Sequence, residues 1–115
     1  MRVLKFRAYD GMDWIYSSTI EYVEEFKQWM ILDSKKDEWM YCGEPGQYTG
    51  LKDKNGREVY EGDVVTDDHN YYLVEFKHGM FKPICYAMLD EKGLATGYEI
   101  IGNIYENPEL LGDDK

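Results

Sequence analysis

Long apolar runs are missing from this sequence: no stretch approaches the roughly 18 consecutive apolar residues that a membrane span requires. The opening MRVLKFRAYD carries cations but no following apolar run of signal-peptide length, so the expected compartment is the cytoplasm. Cysteine is scarce. Cys42 and Cys85 lie 43 residues apart with no CxxC pairing, which is too few for a secreted disulfide framework. Both are expected as reduced thiols filling the core. Histidine is as scarce, with only His69 and His78, each beside a turn signal. Positive charge is also short: 13 Lys and Arg face 23 Asp and Glu, for a formal net charge of -10. Such a chain is repelled by phosphate backbones unless its few cations gather on one face.

What is present is enough apolar material for one core. With 115 residues, 43% hydrophobic and 16% aromatic, the chain has the size of one compact domain, expected over residues 1–115. Val3 to Tyr9 alternates with period two, Asp10-Gly11 offers a tight turn, and Trp14, Ile15 and Tyr16 return, so residues 3–16 read as a hairpin. Ser18 followed by Glu21 matches a capping box, and Tyr22, Val23, Phe26, Trp29 and Met30 recur at helical spacing. This predicts one helix over 19–31, although alternation at Ile20, Tyr22 and Phe26 leaves a strand open there. Asp33 to Glu38 is a polar link, Trp39 to Cys42 a short apolar segment, and Gly43, Pro45 and Gly46 mark an internal boundary between parts 1–47 and 48–115.

Beyond that boundary turn signals come at short intervals: Thr49-Gly50, Asn55-Gly56, Glu61-Gly62-Asp63, Asp67 to Asn70, His78-Gly79, Lys92-Gly93 and Asn107-Pro108. Between them Val59-Tyr60, Val64 to Thr66, Tyr71 to Phe76, Met80 to Tyr86 and Tyr98 to Tyr105 are rich in the residues that fit a pleated surface. Such spacing predicts a small antiparallel barrel or sandwich. Pro83 cannot donate to a ladder and puts Met80 to Tyr86 at an edge or bulge. The fold class expected is therefore α+β and β-rich, a partly open barrel over 48–106 preceded by the hairpin and helix, with helix in at most about a quarter of residues. Gly62 and Asp63 are expected to turn the chain before Val64-Val65, and Leu73 or Val74, Phe76 and Ile101 to be buried.

The opening KFRAYD, the central QYTGLKDKNGREVYEGDVV (Gln47 to Val65), the segment VEFKHGMF (Val74 to Phe81) and the tail EIIGNIYENPELL (Glu99 to Leu111) together resemble the YopX family of phage and prophage proteins. The four blocks run in family order over nearly the whole chain. The resemblance implies a phage or prophage gene product of a bacterial host with an SH3-like barrel. It supplies no catalytic residue.

Several residue sets have the composition of a chemical site without its spacing. The glycines at 43, 46, 50 and 56 fit neither GxGxxG before a helix nor GxxxxGK[ST], so no phosphate cradle is expected. Asp53 to Glu58 suggests a calcium loop only superficially, because Gly56 follows Asp53 by three positions where an EF-hand needs its glycine at the sixth. Cys42, His69, His78 and Cys85 form a complete zinc set on paper. Their spacings of 27, 9 and 7 residues lack a local chelate. Glu61, Asp63, Asp67 and Asp68 could hold a divalent ion but are expected as solvated turn residues. Serines 17, 18 and 34 lie far in sequence from both histidines. No catalytic residue, metal or cofactor is expected, and the protein is expected not to be an enzyme.

Two binding readings remain beside simple protein contact. Arg2, Lys5, Arg7, Lys52, Lys54, Arg57, Lys77 and Lys82, interleaved with Phe6, Tyr9, Tyr60, Phe76 and Phe81, could form a single-stranded nucleic-acid face if they converged. Dispersal is expected instead, with no DNA or RNA binding tighter than about 10⁻⁴ M. Conversely, Glu21, Glu24, Glu25, Asp33, Asp37 and Glu38 concentrate acid between residues 21 and 38, as an acidic DNA mimic occupying a host protein would require, although a solvated helix face is the expected reading. The leading expectation is a non-enzymatic accessory protein acting through protein partners or self-association, because its 11 tyrosines suit a contact surface.

Overall fold

The computed structural model describes residues 4–112, so Arg2 and Val3 lie outside the described residues. Strand accounts for 51% of the structure, and the chain divides into two compact units, Met1–Tyr48 and Thr49–Lys115.

In the first unit, strand β1 (Phe6–Tyr9) and β2 (Trp14–Ser17) form the expected hairpin, with Ala8 opposite Ile15 and Tyr9 opposite Trp14. Asp10 builds the turn: its Oδ1 accepts the N–H groups of Met12 at 2.8 Å and Asp13 at 2.7 Å. A second corner follows at once, where Ser17 Oγ accepts the Thr19 N–H at 3.0 Å. The expected helix over 19–31 is absent. Its place is taken by β3 (Ile20–Val23) and β4 (Gln28–Asp33), which with β5 (Glu38–Cys42) make a three-stranded antiparallel meander.

The helical spacing has a physical origin in this hairpin. Tyr22 and Trp29 are cross-strand partners whose rings meet edge-on at 5.1 Å. Seven positions apart, they coincide with two turns of a helix. The turn between them, Glu24 to Lys27, contains no glycine, proline or asparagine, and Lys27 itself takes the left-handed conformation at φ 51°. Phe26, an apolar position of the helical pattern, sits in this turn 66% exposed. The core consists of Ala8, Ile15, Ile31 and Cys42, with Ile20, Trp29 and Met40 packed against it. Complete burial of Ile31 contributes about 2 kcal/mol.

Strand β6 (Gly46–Asp53) pairs with β1 through Gly46 and Gln47, and continues into the second unit. Thr49-Gly50 does not turn the chain, since the strand runs on through Gly50 at φ 91°. The Asn55-Gly56 turn then leads to β7 (Glu58–Tyr60), which pairs back on β6. Next come β8 (Asp63–Thr66), β9 (Tyr71–Leu73), β10 (Glu75–Lys77) and β11 (Met80–Lys82), followed by a 3-10 turn Ile84–Tyr86. The chain closes with β12 (Leu94–Ala95), β13 (Glu99–Asn103) and the four-residue helix α1 (Glu109–Gly112). The helical content is low, as expected, but the helix lies at 109–112.

The sheets of this unit do not close into a barrel. β13, β8 and β9 form one ladder, β10 and β11 pair as a separate ribbon, and β12 runs parallel to β6. Where a barrel would need a ladder between β6 and β13, the connection is a backbone bond, Lys54 N–H to Tyr98 O at 3.0 Å, with the carboxylates of Asp53 and Glu99 beside it. The core is Val59, Val65, Val74, Ile84, Ala95 and Ile100.

Several expected positions shift. Glu61 and Gly62 form the turn, and Asp63 opens β8. Val74 is buried, but the chain breaks there between β9 and β10, and Phe76 emerges 54% exposed against Phe81 at 4.9 Å. Phe76 lies on a two-stranded ribbon, where among the described residues one neighbouring strand is paired with it. A register shift between Ile100 and Gly102 turns Ile100 inward and leaves Ile101 half-buried. Cys85 is exposed rather than core, because the 3-10 turn after Pro83 buries only Ile84. Cys42 is buried as expected, and burial pushes its thiol pKa up.

Candidate interaction surfaces

The sequence blocks that carry the family resemblance encode buried polar turns. Asp53, wholly buried, accepts the N–H groups of Asn55 and Arg57 on Oδ1, both at 2.9 Å, and that of Ile100 on Oδ2 at 2.9 Å. One carboxylate thus shapes the Asn55-Gly56 turn and ties it to β13. Lys54 and Asn55 reinforce the join from outside through the Glu99 carboxylate, at 3.5 and 3.4 Å. Asp63 does similar work one turn later, its Oδ2 accepting the Tyr60 N–H at 2.8 Å.

In the tail, Asn103 Oδ1 accepts from the N–H groups of Tyr105 and Glu106, and its own N–H donates to Asn107 Oδ1. Gly102 makes room for this: a Cβ there would stand 2.6 Å from both Asn107 Oδ1 and Leu110 Cδ1. The EGD and GNIYENPELL blocks are therefore legible as architecture.

The sets considered for metal do not assemble. Among the described residues no group of three or more His, Cys, Asp and Glu side chains is placed to hold an ion. Of the acidic loop, Asp63 is buried under β7. Asp67 caps its own turn, with Oδ1 accepting the His69 and Asn70 N–H groups at 2.9 Å and Oδ2 the Tyr72 hydroxyl at 3.0 Å.

The backbone N–H groups of Asn70 and His69 hold the Asp67 carboxyl below its ordinary value of 3.8. A lowered folded-state pKa means that the bonds contribute fully above 3.8 and are lost as pH falls through the lowered value. Acid titration followed by NMR is expected to show the Asp67 carboxyl protonating below 3.8, with the His69 and Asn70 amides shifting in step. Titration at or above 3.8 would contradict the turn geometry.

The named cations occupy unlike surroundings. Lys5 lies over the Tyr48 ring at 5.3 Å, and Arg7 is buried over Trp14 at 4.2 Å. Lys52, Lys54 and Arg57 are exposed near the Asn55-Gly56 turn, Lys77 pairs with Glu75 at 3.5 Å, and Lys82 Nζ stands 3.1 Å from His78 Nδ1. Of the interleaved aromatics Tyr60 is buried, Phe6, Tyr9 and Phe81 are half-buried, and Phe76 is exposed.

The acidic residues between 21 and 38 lie on a meander, not along a helix. Glu24 and Glu25 occupy the β3–β4 turn, whereas Asp37 ends the β4–β5 turn and Glu38 opens β5, at the opposite end of β4. The six residues of β4 separate them by about 20 Å.

A cavity of about 510 Å³ in the second unit is lined by Tyr71, Tyr72 and Leu73 of β9, Glu75, Lys77 and Lys82 of the ribbon, Pro83 and Tyr86. Tyr71 and Tyr86 are 53% and 62% exposed. Behind this wall Tyr72 stacks edge-on against Tyr98 at 6.4 Å, and burial, with the Asp67 charge, pushes the Tyr98 hydroxyl pKa up. Sequence reasoning missed this groove because strand alternation marks Tyr71 to Phe76 as one continuous strand, whereas the break at Val74 folds the ribbon beside β9.

The family described as YopX protein matches residues 5–112, a span that takes in all of these buried turns. No curated protein matches the chain. Among solved structures, the crystal structure of protein EF1440 from Enterococcus faecalis is similar at a TM-score of 0.62 and 25% identity, over 97% of this chain and 100% of that one.

Proposed function

This chain belongs to the YopX family, and from that membership we propose that it is a non-enzymatic phage or prophage accessory protein acting in the bacterial cytoplasm through protein contacts, self-association included. The observation that carries the reading is the exposure of large apolar side chains. Phe26 is 66% exposed, Tyr41 61%, Tyr86 62% and Met88 79%. Exposed apolar side chains of this size suit contact surfaces. The varied surroundings of the cations support protein over nucleic acid as partner, since counterion release rewards a continuous basic face. No helix among the described residues is long and apolar enough to cross a membrane.

Sedimentation of the purified chain, together with a pull-down from host lysate, tests the reading. A discrete oligomer or a retained host protein is expected. A strict monomer that retains nothing would overturn it.

A further inference from the structure

We propose that the free edge of β9 receives an extended, acidic segment of a partner protein as an added strand; the proposal deepens the protein-contact reading above and rests on it. The ladder locates the edge. β9 pairs with β8 through Tyr71 opposite Thr66, Tyr72 opposite Val65 and Leu73 opposite Val64, and among the described residues no strand pairs with its other side. Val74 donates its N–H to Asp63 O at 2.8 Å and accepts the Gly62 N–H at 3.0 Å. Backbone groups alternate along an antiparallel strand, so Tyr72 also faces β8, whereas Tyr71 and Leu73 turn their N–H and C=O groups outward.

The cavity lies along that edge. Successive side chains of a strand point to opposite faces, yet Tyr71, Tyr72 and Leu73 all line the same groove. A groove that touches both faces runs beside the strand, and β8 already occupies the other side. Its size, about 510 Å³, is within the range of ligand sites, and β9 is long enough to pair with about three residues at 3.3 Å each.

Charge selects the occupant. Lys77 and Lys82 stand on the ribbon side of the groove with Glu75 as the one carboxylate, and Glu75 is engaged by Lys77 at 3.5 Å. The groove therefore carries a surplus cation in a chain of net charge -10. Tyr71 and Tyr86 offer ring faces to apolar side chains, while Lys82 suits a carboxylate of the added strand. Single-stranded nucleic acid would use the same lysines and rings, but its sugar-phosphate backbone cannot reproduce the amide ladder that an open strand edge pairs with.

The test uses the full chain and a short labelled peptide of alternating glutamate and valine, followed by fluorescence anisotropy and by amide chemical shifts. Three comparison probes accompany it: the lysine-for-glutamate peptide, the acidic peptide N-methylated at alternate residues, and oligothymidylate. Saturable binding of the acidic peptide is expected, with the largest shifts at Tyr71 and Leu73. The N-methylated peptide should fail to bind. The double variant Lys77→Glu with Lys82→Glu, checked for an unchanged melting curve, should weaken binding at least about tenfold, equivalent to roughly 1.4 kcal/mol.

Equal binding of the lysine peptide, shifts centred away from β9, or preference for oligothymidylate would overturn the proposal. So would the absence of peptide binding. In that event sedimentation and the pull-down, which do not depend on β9, decide the protein-contact reading separately.

Discussion

Replacing Asp53 by alanine is expected to cost about 3 kcal/mol, because three backbone N–H groups, one buried and two part-buried, lose their acceptor together and an orphaned buried donor costs roughly 1–3 kcal/mol. Those donors belong to Asn55, Arg57 and Ile100, so the loss falls on the Asn55-Gly56 turn and on its join to β13 at once. Against a typical stability of about 5–15 kcal/mol, this is enough to leave the second unit marginal. Asp53→Asn keeps one acceptor oxygen for the turn but presents an amide NH₂ to the Ile100 N–H, and is expected to cost about half as much. Urea unfolding at neutral pH measures both, with exposed Glu91→Ala as a surface control within about 0.5 kcal/mol of the parent. A loss below about 1 kcal/mol for Asp53→Ala would show that the carboxylate is dispensable and that the gap between β6 and β13 is held some other way.

Asp53 also explains why the barrel expected from the sequence is not closed. Turn signals and β-rich segments locate most strands of the second unit, because Asn55-Gly56 and His78-Gly79 carry the φ > 0 residues that tight turns require. They say nothing about which edges meet. The contact between β6 and β13 rests in part on a side chain to backbone bond between residues 47 positions apart, and no local pattern reports such a bond.

The meander of the first unit is hidden in the sequence for a related reason. Its two turns, at Glu24 to Lys27 and Ser34 to Asp37, place Lys27 and Asp37 at positive φ without a glycine. The turn signal is therefore absent where cross-strand pairing happens to mimic helical period. The groove beside β9 is illegible too, since it arises from the break at Val74, a residue drawn into the core by its bonds to Gly62 and Asp63. By contrast the opening hairpin follows directly from alternation, and the burial of Cys42 from the ordinary place of a reduced thiol in a core.

Gly62→Val is expected to destabilise the chain by about 3 kcal/mol, combining backbone strain with a steric clash. Gly62 sits at φ 93°, and a Cβ there would meet Tyr105 Cε2 at 3.0 Å and Ile104 Cγ1 at 3.8 Å. A β-branched residue at positive φ is strained even in open space. Relief by rotation of the backbone is blocked, since the Gly62 N–H donates to Val74 O at 3.0 Å while its C=O accepts the Ile104 N–H at 2.9 Å. Any shift in φ therefore pulls on the segment after β9 and the segment after β13 together. Gly79→Val separates the two contributions: Gly79 has φ 82°, and a Cβ there would meet nothing within 4 Å, so that variant carries strain alone, about 1–2 kcal/mol. Thermal unfolding of the pair should give a larger fall for Gly62→Val. Equal falls would mean that Tyr105, itself 42% exposed, swings aside without cost, and that the glycine of the Glu61-Gly62-Asp63 turn is required for its backbone conformation only.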